Sequence, residues 1–141
     1  MFELFEHYAD VGIRGKGETI EKAFEEAAKA MFSVMVELDS VEKKESVEIK
    51  AEAGELDLLL VEWLNALLSE SSLRSMVFGD FRVETIEQLK DGKWIVKGKA
   101  WGEKLVATKH SPKVEVKAAT YSQLIVEKHN GLWLAQCVVD V

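Results

Sequence analysis

Hydrophobic and polar positions follow two rhythms along this chain. Between Ile20 and Met35 the apolar residues Ile20, Ala23, Phe24, Ala27, Met31, Val34 and Met35 recur at three- and four-residue steps, with Glu21, Lys22, Glu25, Glu26 and Lys29 between them. That spacing predicts an amphipathic helix, N-capped by Thr19 and running to about Glu37. Its Met and Phe stripe reads as core. From Leu56 to Leu68 the sequence LDLLLVEWLNALL is almost continuously apolar. It is too long for a usual strand and rich in helix formers, so it predicts a second helix buried on most sides, fading among Ser69, Ser71 and Ser72. Its polar residues Glu62, Asn65 and Ser69 make one narrow stripe. Glu62 is a candidate functional residue, because a carboxylate in an apolar helix needs a partner or a route to solvent.

Elsewhere the period is two. Phe2–His7 reads as a short strand, and the following YADVGIRGKGE, with Gly12, Gly15 and Gly17, reads as bends or bulges. Val47 and Ile49 alternate with Glu48 and Lys50, which predicts a strand over 45–52, and Gly54 marks the turn into the central helix. Strands over 77–89 and 94–106 flank an Asp91-Gly92 hairpin turn. A long alternating run over 114–127 and a closing strand over 132–139 flank Asn130-Gly131. Pro112, the only proline, falls in a connection. The expected order is β-α-β-α-β-β-β-β: an α+β fold with two helices on an antiparallel or mixed sheet, forming one domain over residues 1–141.

Composition narrows the chemistry. The 141 residues carry a formal net charge of −7, but residues 90–117 hold eight lysines against three acids. Indiscriminate or stable nucleic-acid binding is not expected from this balance. The lysine-rich stretch reads as a solvated sheet face that remains open to an anionic partner. No apolar run reaches membrane-spanning length. The acidic N-terminus is unlike a signal peptide, and Cys137 is the only cysteine; a cytoplasmic protein without disulfides is expected.

One cysteine excludes a thiolate metal cage. Gly15-Lys16-Gly17 lacks the frame of a P-loop, and no GxSxG elbow occurs. Two places retain chemical interest. His7-Tyr8-Ala9-Asp10 closes the first predicted strand, and Asp140-Val141 closes the last. Asp10, Asp140 and a terminal carboxylate on Val141 would offer oxygen ligands suited to a hard cation. His7 lies three residues from Asp10. Both aspartates read as C-terminal strand ends, which requires neighbouring strands to run parallel, or separate sheets to aim at one point.

Four separated segments, HYADVGI, DLLLVEWLNALL, EVKAATY and VVDV, occur in an order that resembles the archease family over essentially the whole chain. The resemblance implies a protein that is not an enzyme. It implies a cytosolic partner of the RtcB-type tRNA-splicing RNA ligase, which promotes guanylylation and turnover of that ligase and broadens its nucleotide use. It further implies a divalent metal ion, Ca²⁺ in a crystal and Mg²⁺ or Mn²⁺ possible in function, held by Asp10 and Asp140 with Val141 as a further oxygen donor. Lys117, the lysine of EVKA, is a further functional candidate. Tyr8 stands where the family commonly has Thr, and Ser122 where it commonly has His. A metal-dependent hydrolase using Asp10, Asp140 and His7, and a general chaperone-like binding module, are the other classes open to this sequence.

Overall fold

The computed structural model describes residues 1–141. Strands β1 (Phe2–His7) and β2 (Asp10–Gly17) precede helix α1 (Ile20–Met35). Strand β3 (Glu45–Ala53) leads to helix α2 (Leu56–Arg74). Strands β4 (Met76–Gln88) and β5 (Trp94–Lys104), a one-turn helix α3 (Ala107–His110), and strands β6 (Ala118–Ala119), β7 (Ile125–His129) and β8 (Leu132–Asp140) complete the chain. All pairings are antiparallel. One sheet runs β1-β2-β8-β6, with β7 also on β8, and the other runs β3-β5-β4.

Both long helices lie between the sheets. Helix α1 touches β2 and β8 of the first sheet and β4 of the second; α2 touches β3, β4 and β5 on one side and β6 and β7 on the other. This placement explains why α2 is apolar around most of its circumference. Leu59, Leu60, Val61, Trp63, Leu64 and Leu67 are all buried, and each large aliphatic among them contributes roughly 1.5–3 kcal/mol. They belong to a core cluster of 28 buried residues drawn from both sheets and both helices.

The α+β class, the Thr19 cap and the two turn signals stand. Thr19 Oγ1 accepts from the Lys22 N–H at 3.1 Å, and Gly92 and Gly131 take positive φ in their turns. Three details of the expected order differ. The stretch after His7 is a strand, β2, rather than a set of bends. Its glycines serve close approach: a Cβ on Gly15 would sit 2.3 Å from Ala23 O and Ala27 N of α1, and one on Gly12 would sit 2.1 Å from the Phe5 ring. The alternating run 114–127 is not one strand, because a turn at Tyr121–Gln123, with Gln123 at φ 54°, separates β6 from β7. Alternation marks two-sided burial and does not require a continuous ladder. Helix α2 passes the serines and ends at Ser75, whose left-handed backbone lets its N–H reach Ser71 O and Ser72 O.

Helix α3 owes its place to a buried polar cluster. The His110 ring is fully buried; its Nδ1 accepts from the Val106 N–H at 2.9 Å, leaving Nε2 to donate to Glu103 at 3.0 Å. Glu103 also accepts from the Glu42 N–H at 2.8 Å and from Lys109 Nζ at 3.0 Å. The Glu42 amide, then His110 and Lys109, hold the Glu103 carboxyl well below its ordinary 4.5. A carboxylate with a depressed folded-state pKa stabilises fully above its unfolded pKa and loses that contribution as pH falls below it. Glu103→Gln is therefore expected to lower the urea midpoint at pH 7, with the gap to wild type narrowing at pH 3. An equal gap at both pH values would refute the assignment.

Candidate functional site

The site is built where three strands end side by side. Strands β1 and β2 are joined by the two-residue loop Tyr8-Ala9, with His7 paired to Asp10 across it. Strand β2 then pairs with β8, in register from Gly17↔Trp133 to Val11↔Val139. The pairing stops at Val11↔Val139, and Asp10 and Asp140 are the residues adjoining that last pair on the two strands. Being one step beyond the same pair, the two fall on the same face of the sheet by strand alternation. Asp10 thus opens a strand rather than closing one. This corrects the expectation of parallel neighbours: antiparallel pairing meets the demand, because the start of β2 lies beside the end of β8.

The shared face is the one turned away from α1. Ile13 is buried, and the Cβ direction of Gly15 points into α1, so Asp10, Gly12 and Arg14, of the other parity, face outward. Arg14 confirms it by bonding Gln136 Oε1 at 2.9 Å and Glu3 Oε2 at 3.1 Å across that surface.

On its other side β8 is held by β6. Ala118 pairs with Asp140, and the Lys117 N–H donates to Asp140 O at 2.8 Å. Helix α2 fixes β6 from outside: Asn65 Oδ1 accepts from the Ala119 N–H at 2.8 Å, and its Nδ2 donates to Ala119 O at 3.3 Å. That amide does what a neighbouring strand would do, and it satisfies both polar groups of an otherwise open edge. The role of Asn65 went unread in the sequence, although a carboxamide within an apolar helix is itself a signal of a specific partner.

Of the six candidate residues, Asp10 and Asp140 adjoin the last β2–β8 pair, Val141 follows Asp140, and the Lys117 N–H bonds Asp140 O. Asp140 is exposed, and Asp10 and Val141 are half-buried. Neither aspartate enters a salt bridge within the chain. Lys117, one step from Ala118, lines a groove of about 380 Å³ with Asn65, Leu68, Ser69 and Ser72 of α2. Glu62 is exposed one turn before Asn65 and does not line that groove. His7 is half-buried beside Asp10, and its Nδ1 is buried without a hydrogen-bond partner. Next to it Tyr8 is 98% exposed at φ 53°, with its ring edge-on to His7 at 4.9 Å. A left-handed backbone costs an L-residue roughly 1–2 kcal/mol.

No three His, Cys, Asp or Glu side chains gather to hold an ion. The donors present are two carboxylates on the residues adjoining the last β2–β8 pair, with Val141 next to Asp140. An all-oxygen set with one or two carboxylates suits a hard divalent cation that keeps water among its ligands. A soft metal would find no thiolate, since burial pushes the Cys137 thiol up to about 12.

Residues 2–141 match the Archease protein family (MTH1598/TM1083). The chain belongs to the archease family. It is 48% identical to the protein archease of Pyrococcus furiosus over 141 residues, covering 99% of this chain and 98% of that one. Its identity to the protein archease of Methanosarcina mazei is 40% over 140 residues, covering 99% and 95%. The solution structure of Methanobacterium thermoautotrophicum protein 1598 superposes with a TM-score of 0.82 at 30% identity, covering 99% of this chain and 98% of that chain. The crystal structure of an archease, possible chaperone, from Thermotoga maritima shares the fold with a TM-score of 0.58 at 20% identity, over 97% and 94%. The archease match spans both ends of the chain, so the hairpin loop and the end of β8 fall inside it. No helix is long and apolar enough to cross a membrane.

Proposed function

We propose that this protein is a non-enzymatic, cytoplasmic activator of an RtcB-type tRNA-splicing RNA ligase, promoting its guanylylation and turnover and broadening its nucleotide use. The observation that supports this reading is the antiparallel β2–β8 pairing, which ends at Val11↔Val139 with Asp10 and Asp140 adjoining that pair at one corner of the first sheet. Two carboxylates with no partner in their own chain are poised for a cation, for cationic groups on another protein, or for both. Asp10 and Asp140 would hold a divalent ion, with Val141 as a further oxygen donor. When bound, such an ion supplies charge neutralisation beside nucleotide phosphates. The chain's own contribution is to present the corner rigidly: β2 and β8 fix the aspartates, and Asn65 fixes β6 against β8. Lys117 sits at the groove beside that corner, where an ammonium meets phosphate or an acidic side chain of the ligase.

The test is multiple-turnover RNA ligation by the cognate ligase with and without this protein. Repeated turnover and faster guanylylation only in its presence are expected. A ligase indifferent to the protein would reject the reading. Turnover of a substrate by the isolated protein would favour the metal-dependent hydrolase, and suppression of aggregation of unrelated proteins would favour the general chaperone-like module.

A further inference from the structure

The loop that joins β1 to β2 has unusual chemistry for its geometry. Two-residue hairpin loops with positive φ select Gly, Asn or Asp, yet this one reads Tyr8-Ala9, with the positive φ on the tyrosine. The other non-glycine residues at positive φ are Ser75, Ser111, Gln123 and Asn130, all polar and all in helix caps or turns. Three of these have evident local returns. The Ser75 N–H bonds Ser71 O and Ser72 O, the Ser111 N–H bonds Ala107 O, and Gln123 O accepts from Gln136 Nε2. Tyr8 has only an edge contact with His7 and is 98% exposed. Its ring therefore brings the fold almost no burial, while its backbone occupies a conformation that glycine would take without strain. Strain kept at an exposed position without return inside the fold points to a use outside it.

We infer that Tyr8 is the anchor by which the acidic corner docks on its partner, its ring entering an apolar slot rimmed by cations. This rests on the reading of that corner as the surface that faces the RNA ligase. The charge of the corner selects the rim. Glu6 and Asp140 are exposed and Asp10 is half-buried, and they flank the loop. A ligase that handles nucleotide and RNA phosphates carries Arg and Lys around those phosphates. Tyrosine suits the central role because it delivers a large contact area at low conformational-entropy cost. The aspartates then lie next to the rim cations, and the ring fixes the approach.

The experiment compares wild type, Tyr8→Gly and Tyr8→Phe in two measurements: the thermal midpoint, and the concentration giving half-maximal stimulation of multiple-turnover ligation. Tyr8→Gly is expected to raise the midpoint by roughly 2–5 °C, since glycine relieves the left-handed backbone. It is also expected to raise the half-maximal concentration at least about tenfold, the size of an anchor residue's loss. Tyr8→Phe keeps the ring and should stay within about threefold of wild type. A Gly variant that stimulates at the wild-type concentration overturns the anchor, as does a Phe variant as weak as the Gly one. A Gly variant melting at or below wild type overturns the premise of unreturned strain. Failure of wild type itself to stimulate would reject the ligase reading and the anchor with it, a result distinct from stimulation that ignores Tyr8.

Discussion

Asp140→Asn is expected to stabilise the metal-free protein and to abolish its response to divalent cations. The two effects share one cause. Without an ion, Asp10 and Asp140 are like charges adjoining the last pair of the antiparallel β2–β8 ladder; if they face each other, the repulsion destabilises by a few tenths to about 1 kcal/mol. Asparagine removes that repulsion while keeping shape. On the proposed reading, the two carboxylates would together bind the ion. Loss of a mere outer-shell partner costs about 10–100-fold in metal affinity, so loss of a direct carboxylate should cost at least about a hundredfold. In Ca²⁺ or Mn²⁺ at a hundred times the wild-type Kd, wild type gains about 2.7 kcal/mol of stability, whereas a variant a hundredfold weaker gains about 0.4 kcal/mol. Thermal melts in chelator and in excess cation would therefore cross: the variant melts higher in chelator and lower in cation. Asp10→Asn should behave alike. Stimulation of the ligase should fall at least about tenfold with either variant. A folded variant that keeps both its cation response and its stimulation would remove the metal corner from the mechanism.

That corner was half legible in the sequence. Asp10 and Asp140 could be singled out as acids at the two extremities of the chain. Their placement at one corner could not be read from spacing, because it depends on the β2–β8 pairing, and the glycines that make β2 fit against α1 and Phe5 look like loop residues. A strand whose glycines answer to another element's backbone gives no alternating signal of its own. The buried helices were plain, since three- and four-residue periodicity and a long apolar run are local properties. The opposite error occurred at 114–127, where alternation in the sequence concealed a turn: Val116 and Ala119 are buried, Leu124, Ile125 and Val126 are half-buried, and the segments pair with β8 separately rather than as one strand. The pairing of His110 with Glu103 depends on a one-turn helix too short to leave a periodic trace in the sequence. Asn65 stood in view within the polar stripe of α2, but its partner is main chain, which carries no side-chain signature.

Trp63→Ala is expected to cost about 3–5 kcal/mol, the range for a large aromatic removed from a packed core. The residue is fully buried. Its Nε1 donates to Phe24 O of α1 at 3.2 Å, and a Cβ on Gly98 of β5 would come within 3.1 Å of its ring. One side chain thus joins both helices to the second sheet, and little around it can collapse to fill the space. Trp63→Phe keeps much of the volume and loses the hydrogen bond, so its cost should be nearer 1–2 kcal/mol. Urea midpoints at constant m would give both numbers. The functional consequence separates stability from site chemistry. Asn65 lies two residues on, about 200° around the helix, so the face that holds β6 is not the face that Trp63 fills. Trp63→Ala should then weaken stimulation only by the fraction left unfolded, and conditions that restore folding should restore it in full. Asp140→Asn should stay impaired when fully folded. If Trp63→Ala remained inactive after its folding was restored, the two faces of α2 would be coupled, and the corner would depend on the core through more than its scaffold.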